Sequence, residues 1–169
     1  MASVLPPARR VARAGSAPVV GRMPLVRTVQ WGNMNPDLRG LWKADLEQSK
    51  LLGPPPKAVS VRINHCDSEL VVEMLITKAD GSEDRLRFGG LTSGEEVTNQ
   101  ISGGQMRSRL CWVGRELLIE SRMKLGGREA HFCDYWLLSD DGQTLTMEHR
   151  DDDLAGQITL FERAAQERE

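Results

Sequence analysis

Little in this chain points to bond-making chemistry, and each scarcity removes a class of protein. Three cysteines, Cys66, Cys111 and Cys133, are widely spaced with no CxxC among them. An odd, scattered set of this kind fits reduced, structural thiols in a reducing compartment better than a disulfide framework, so the expected location is cytoplasmic. No apolar run approaches the roughly 20 residues of a spanning helix, so no membrane partner is expected and the chain reads as soluble. The 22 basic and 24 acidic residues leave a net charge of -2. That balance gives no electrostatic footprint for nucleic acid. No nucleophile stands at an established spacing from a histidine, and no second pair completes a metal site; the expectation is therefore a protein with no catalytic residue, no metal and no cofactor.

What the chain does have is alternation. Residues 109–150, RLCWVGRELLIESRMKLGGREAHFCDYWLLSDDGQTLTMEHR, switch between apolar and polar side chains, with Gly or Asp-Gly at each reversal. This is the pattern of consecutive antiparallel strands. Because the side-chain period is two, each turn fixes which residues share a face. A two-residue loop at Gly126 and Gly127 sets Met123 opposite Ala130, Ser121 opposite Phe132, Ile119 opposite Asp134 and Leu117 opposite Trp136. Pairing Leu138 with Leu145 then sets Trp136 against Met147 and Asp134 against His149. Upstream, a turn at Val113-Gly114 sets Leu110 against Leu117 and Ser108 against Ile119. A turn at Gly103-Gly104 sets Asn99 against Ser108 and Val97 against Leu110. All four turns agree on one inner face.

The 169 residues suffice for one domain with a sizeable core. Residues 1–37 differ from the rest, with Arg9, Arg10, Arg13, Arg22 and Arg27, several prolines and no acid before Asp37. They are expected to be a disordered extension, or the product of a start upstream of Met23 or Met34; a basic targeting segment is the alternative. The domain is expected over residues 38–165, with a short tail at 166–169. Its first strand enters at Gly40, and residues 46–52 read as a short helical segment with Asp45 as N-cap and Gly53 as stop. Pro54, Pro55 and Pro56 make an extended linker. Val59, Val61 and Ile63 then pair with Leu70, Val72, Met74 and Ile76 across a turn at Cys66-Asp67, where His65 reads as solvated. Shorter strands follow around Leu86 and Phe88 and from Glu96 to Ile101, and GQITLFER closes the chain. The expected fold is all-β: an antiparallel up-and-down barrel of about 8–10 strands with one short helical segment after the first strand.

Gly40-x-Trp42, the segment DLEQSK, the stretch GPPPKAVSVRI, the ADGS turn, and YWLLSDDGQTLTMEHR with a closing LFER together resemble the lipocalin-like, calycin-type β-barrel proteins of bacteria, over residues 38–163. The resemblance implies that Trp42 lies at the closed end of the barrel with Arg163, from the last strand, packed over it. Such a contact is a structural staple worth about 0.5–2 kcal/mol. The chain differs from secreted lipocalins in lacking a disulfide, and from fatty-acid-binding proteins in having too few residues between its first two strands for a helical-hairpin lid.

The inner face is apolar apart from Asn99, Ser108, Ser121, Asp134 and His149. Buried polar groups must pair, hold water or meet a ligand. With Phe132, Trp136 and Met147 beside them, these residues form a candidate site for a small, mostly apolar ligand. The alternative is a filled barrel acting as a structural or protein-interaction module. A third reading is haem held by His149, the inward histidine of this register. Asp134 and His149 also read as a rim ion pair or an acid–base pair. His131 and Cys133 share an outer face and offer two metal ligands without a second pair. Outward Cys111, Leu118, Cys133, Tyr135 and Leu137 make a less polar strip, a candidate homodimer face.

Overall fold

The computed structural model describes residues 35–66, 68–152 and 154–165. Residues 1–34 of the expected extension and the tail at 166–169 lie outside the described residues. Ten strands follow in order: β1 (Gly40–Lys50), β2 (Ala58–Cys66), β3 (Glu69–Thr77), β4 (Glu83–Leu91), β5 (Ser93–Ile101), β6 (Gly104–Val113), β7 (Glu116–Leu125), β8 (Arg128–Leu138), β9 (Thr144–Asp151) and β10 (Leu154–Arg163). They form one antiparallel sheet in the order β4-β3-β2-β1-β10-β9-β8-β7-β6-β5. Chain neighbours are therefore sheet neighbours, and pairing of β1 with β10 wraps the sheet into a nearly closed barrel with its two edges, β4 and β5, facing each other.

The expected helix at residues 46–52 is absent; β1 runs on to Lys50. Asp45 does act as a cap, its Oδ1 accepting the backbone N–H groups of Glu47 and Gln48 at 3.1 Å each. The turn goes no further because β10 recaptures the chain. Asp45 pairs with Leu160 and Lys50 with Ile158, so the intervening residues bulge from the ladder. Ser49 Oγ donates to the Asp45 carbonyl and accepts from Leu160 N at 3.0 Å, which fixes the bulge. A helix of about two turns cannot outcompete such pairing, since helices shorter than about 12 residues are marginal alone.

The register over β7, β8 and β9 follows the turns as expected, including Ser121 with Phe132, Asp134 with His149 and Trp136 with Met147. Gly126 and Gly127 at the β7–β8 reversal take φ of +55° and +82°, the left-handed geometry that a two-residue hairpin turn demands. Two other turns are displaced by one residue. Val113 pairs with Glu116, so Gly114-Arg115 forms that loop, and Ile101 pairs with Gly104. Partners consequently shift by two: Ser108 lies opposite Ser121, Leu110 opposite Ile119 and Asn99 opposite Met106. A shift of two conserves the face, which is why the inner set survives although the pairs change.

Packing is densest at the end where β1 begins and β10 stops. Leu38, Trp42, Val61, Leu70, Leu110, Leu117 and Leu145 are fully buried there. Arg163 lies 4.2 Å over the Trp42 ring, its Nε donates to the Gly142 carbonyl at 2.8 Å, and the Trp42 indole N–H donates to the Leu38 carbonyl at 3.0 Å. First strand, last strand and entering chain are thus joined at one point. His65, expected in solvent, continues the inward series of Val61 and Ile63 instead; its ring sits 6.1 Å from that of Trp112 with Nε2 buried.

The seam between β4 and β5 has no backbone ladder among the described residues; a side chain bridges it. Asn99 accepts from Gly89 N at 3.0 Å and donates to the Gly89 carbonyl at 3.1 Å, standing in for the missing strand pair. Close approach across the seam requires glycine at position 90, where a Cβ would lie 2.7 Å from Val97 Cγ1; on the other side of β4, a Cβ on Gly89 would lie 2.5 Å from the Leu70 carbonyl oxygen of β3.

Candidate functional site

Toward the other end the barrel is not filled. A cavity of about 920 Å³ opens past the β1–β2 and β3–β4 connections, where Leu51, Pro54, Pro55 and Asp80 form the rim. Inward alternation places its walls: Val59, Met74, Leu86 and Phe88 from β2 to β4, and Met106, Ile119, Met123, Phe132, Trp136, Met147 and Phe161 from the opposite strands. Phe88 and Trp136 meet edge to face, with ring centroids 6.3 Å apart, above the closed-end core. The large side chains line the void rather than meeting at its centre.

Six of the eight residues expected at a ligand site line this cavity: Ser121, Phe132, Asp134, Trp136, Met147 and His149. Ser108 and Asn99 do not. Ser108 is buried behind the wall, its Oγ 2.9 Å from that of Ser121, and each hydroxyl thereby satisfies the other. Asn99 is occupied at the seam, where it borders a separate shallow recess with Arg87 and Val97. Sequence reasoning missed Lys78, Asp80, Asp151, Gln157 and Thr159. Asp151, Thr159 and Gln157 had a signal available, because they extend the inward series of Met147–His149 on β9 and of Phe161 on β10; Lys78 and Asp80, at the β3–β4 turn, had none.

Asp134 and His149 form the polar focus. Oδ1 lies 2.8 Å from Nδ1. A carboxylate only accepts, so Nδ1 carries the proton. The hydrogen bond to Asp134 holds the His149 pKa above its ordinary value, and the neighbouring Asp151 carboxylate acts in the same direction, while partial burial opposes both. The ring stands beside Phe132, centroids 5.1 Å apart, at the border between cavity and solvent. The serine on the same wall, Ser121, is bonded to Ser108.

On the outer surface His131 lies between two carboxylates, Nε2 3.0 Å from Glu120 and Nδ1 3.3 Å from Asp152, and they raise its pKa. The adjacent Cys133 thiol is pushed up, chiefly by burial, which keeps it protonated and poorly nucleophilic. Tyr135, in the same outer strip, is covered by Arg150 at 4.9 Å. Among the described residues, no group of three or more His, Cys, Asp or Glu is placed to hold a metal ion, and no helix is long and apolar enough to cross a membrane.

No known protein family and no curated protein matches the sequence. Solved structures do match the fold. The fatty acid transporter REP1-NXSQ is 10% identical with a TM-score of 0.55, over 78% of this chain and 98% of that one. A Schistosoma mansoni fatty acid binding protein in complex with arachidonic acid is 12% identical with a TM-score of 0.53, over 76% and 96%. Secretory abundant heat soluble protein 4 from Ramazzottius varieornatus is 10% identical with a TM-score of 0.54, over 76% and 95%. The chain shares the antiparallel β-barrel fold of these solved structures.

Proposed function

We propose that this protein is a non-enzymatic carrier that holds one small, mostly apolar molecule inside the barrel. The observation that carries the reading is the continuous cavity of about 920 Å³ whose walls are apolar but for one cluster of polar groups. That volume lies within the range of roughly 300–1,000 Å³ usual for small-molecule sites. Asp134, His149 and Ser121 orient the molecule, while Phe132, Trp136 and Met147 supply contact area. The carrier domain spans residues 38–165, the compartment is the cytoplasm, and the outer strip of Cys111, Leu118, Cys133, Tyr135 and Leu137 is the face through which two copies pair. The likeness of fold to a fatty acid transporter and to a fatty acid binding protein in complex with arachidonic acid supports the choice of carrier over filled barrel.

Native mass spectrometry of protein purified from its own host, compared with the same sample denatured, tests this directly. A small molecule present only in the native spectrum is the expected result. A clean apo mass, together with failure to bind a neutral apolar dye such as Nile red, refutes the carrier. The same native spectrum reads the monomer-to-dimer ratio.

A further inference from the structure

The cavity wall differs from the rest of the interior in the kind of side chain it uses, and that difference points to a ligand class; the step rests on the carrier reading above. All three phenylalanines of the chain, Phe88, Phe132 and Phe161, line the cavity, and Trp136 stands among them. So do all four methionines of the described residues, Met74, Met106, Met123 and Met147. The buried core residues that stay off the cavity are leucine, valine and isoleucine, with Trp42 the exception. Aromatic and thioether side chains used only to fill gaps would be shared between the two ends of the barrel.

Their placement suits a flat guest. Phe88 comes from β4 and Trp136 from β8, and their ring planes meet at 71° with centroids 6.3 Å apart. Phe132 stands nearer the mouth, beside His149. Met147 is the cross-strand neighbour of Trp136, and Met106 that of Met123. A ring with a negative face and a positive edge gains more from another π-system, stacked offset or edge on, than from a saturated chain of equal area. Thioether sulfur adds contacts to ring edges, and the unbranched methionine side chain repacks around a rigid outline. A rigid molecule also brings fewer rotatable bonds to immobilise than an alkyl chain does. We propose that the cavity selects planar aromatic or conjugated-ring molecules over saturated chains, a class different from the arachidonic acid in the Schistosoma mansoni neighbour.

The test is displacement of Nile red from the full chain by two neutral alcohols, pyrenylmethanol and the straight-chain primary alkanol that matches it in octanol–water partitioning. The pyrene alcohol is expected to displace the dye at a concentration roughly tenfold below that of the alkanol. Phe132→Leu keeps an apolar wall at a partly buried position but removes one ring. It should narrow the ratio by about two- to threefold and leave the alkanol nearly unchanged. Met123→Leu, which conserves volume, should narrow it by less, about 1.5-fold. Equal displacement by the two alcohols overturns the selection and leaves the carrier standing, and a ratio unmoved in both variants overturns the aromatic and thioether wall as its cause. Failure of Nile red and both alcohols to bind removes the carrier reading, and this inference with it.

Discussion

At the end of the barrel where Arg163 covers Trp42, inward side chains meet across the axis and exclude water; at the opposite end side chains of the same parity face an open cavity. Leu70, Leu110, Leu117 and Leu145 are fully buried at the first, whereas Val59, Met74, Met123 and Phe132 are only partly so at the second. Alternation is the same throughout. The difference lies in what stands across the axis: Leu38 and Trp42 plug one end, and the β1 bulge and the proline linker leave the other open. One end therefore carries the stability of the fold and the other is free to carry a ligand, and substitutions should separate the two roles.

The largest effect is expected at the plug. Trp42→Ala removes a fully buried indole, its hydrogen bond to Leu38 and the platform for Arg163, and should cost about 3–5 kcal/mol in a urea denaturation series. Arg163→Ala leaves the indole in place but loses the stacking and the Gly142 contact, for about 1–3 kcal/mol. Neither change should move Nile red affinity more than about twofold in the protein that remains folded. A Trp42→Ala chain that unfolds normally but no longer binds dye would merge the two ends into one functional unit.

Next come the two polar pairs inside the wall. Ser108→Ala or Ser121→Ala alone leaves the partner hydroxyl buried without its bond, at about 1–2 kcal/mol, while the double variant should cost less than the sum of the singles. Strict additivity in that cycle would mean the hydroxyls do not depend on each other. Asn99→Ala breaks both bonds to Gly89 and should cost about 1–2 kcal/mol. Its distinguishing mark is local: amide exchange along β4 should quicken while β7 and β8 stay protected.

How much of this was legible in the sequence depended on whether one residue or two decided the answer. Side-chain parity needs only a strand and its phase, so the barrel, its inner face and six of the cavity residues could be read directly. Partner identity needs the position of the turn to within one residue, and at Gly114 and Gly103 adjacent positions competed, so Ser108 and Asn99 were assigned the wrong partners. The helix at residues 46–52 was a local preference overruled by pairing with β10, more than 100 residues away in the chain. Nothing local could reveal that Asn99 closes a seam, because the seam exists only when the last strand meets the first.

The smallest effect on stability, and the sharpest on binding, is expected at the mouth. The bond to Asp134 raises the pKa of His149 above its ordinary 6.5, so the pair stabilises the folded chain fully below that value and loses its contribution as pH climbs through the raised pKa of the fold. Unfolding midpoints of the wild type and of His149→Leu should therefore lie furthest apart near about pH 5.5 and draw together above about pH 8. The gap stays modest because the His149 side chain is 42% exposed and solvent screens the pair. Dye affinity should respond more than stability does, since the imidazole borders the cavity and the plug does not depend on it. A midpoint difference that widens with pH would reverse the sign of the Asp134–His149 interaction, and an affinity unmoved by His149→Leu would take the pair out of the site and leave the cavity walls alone to define it.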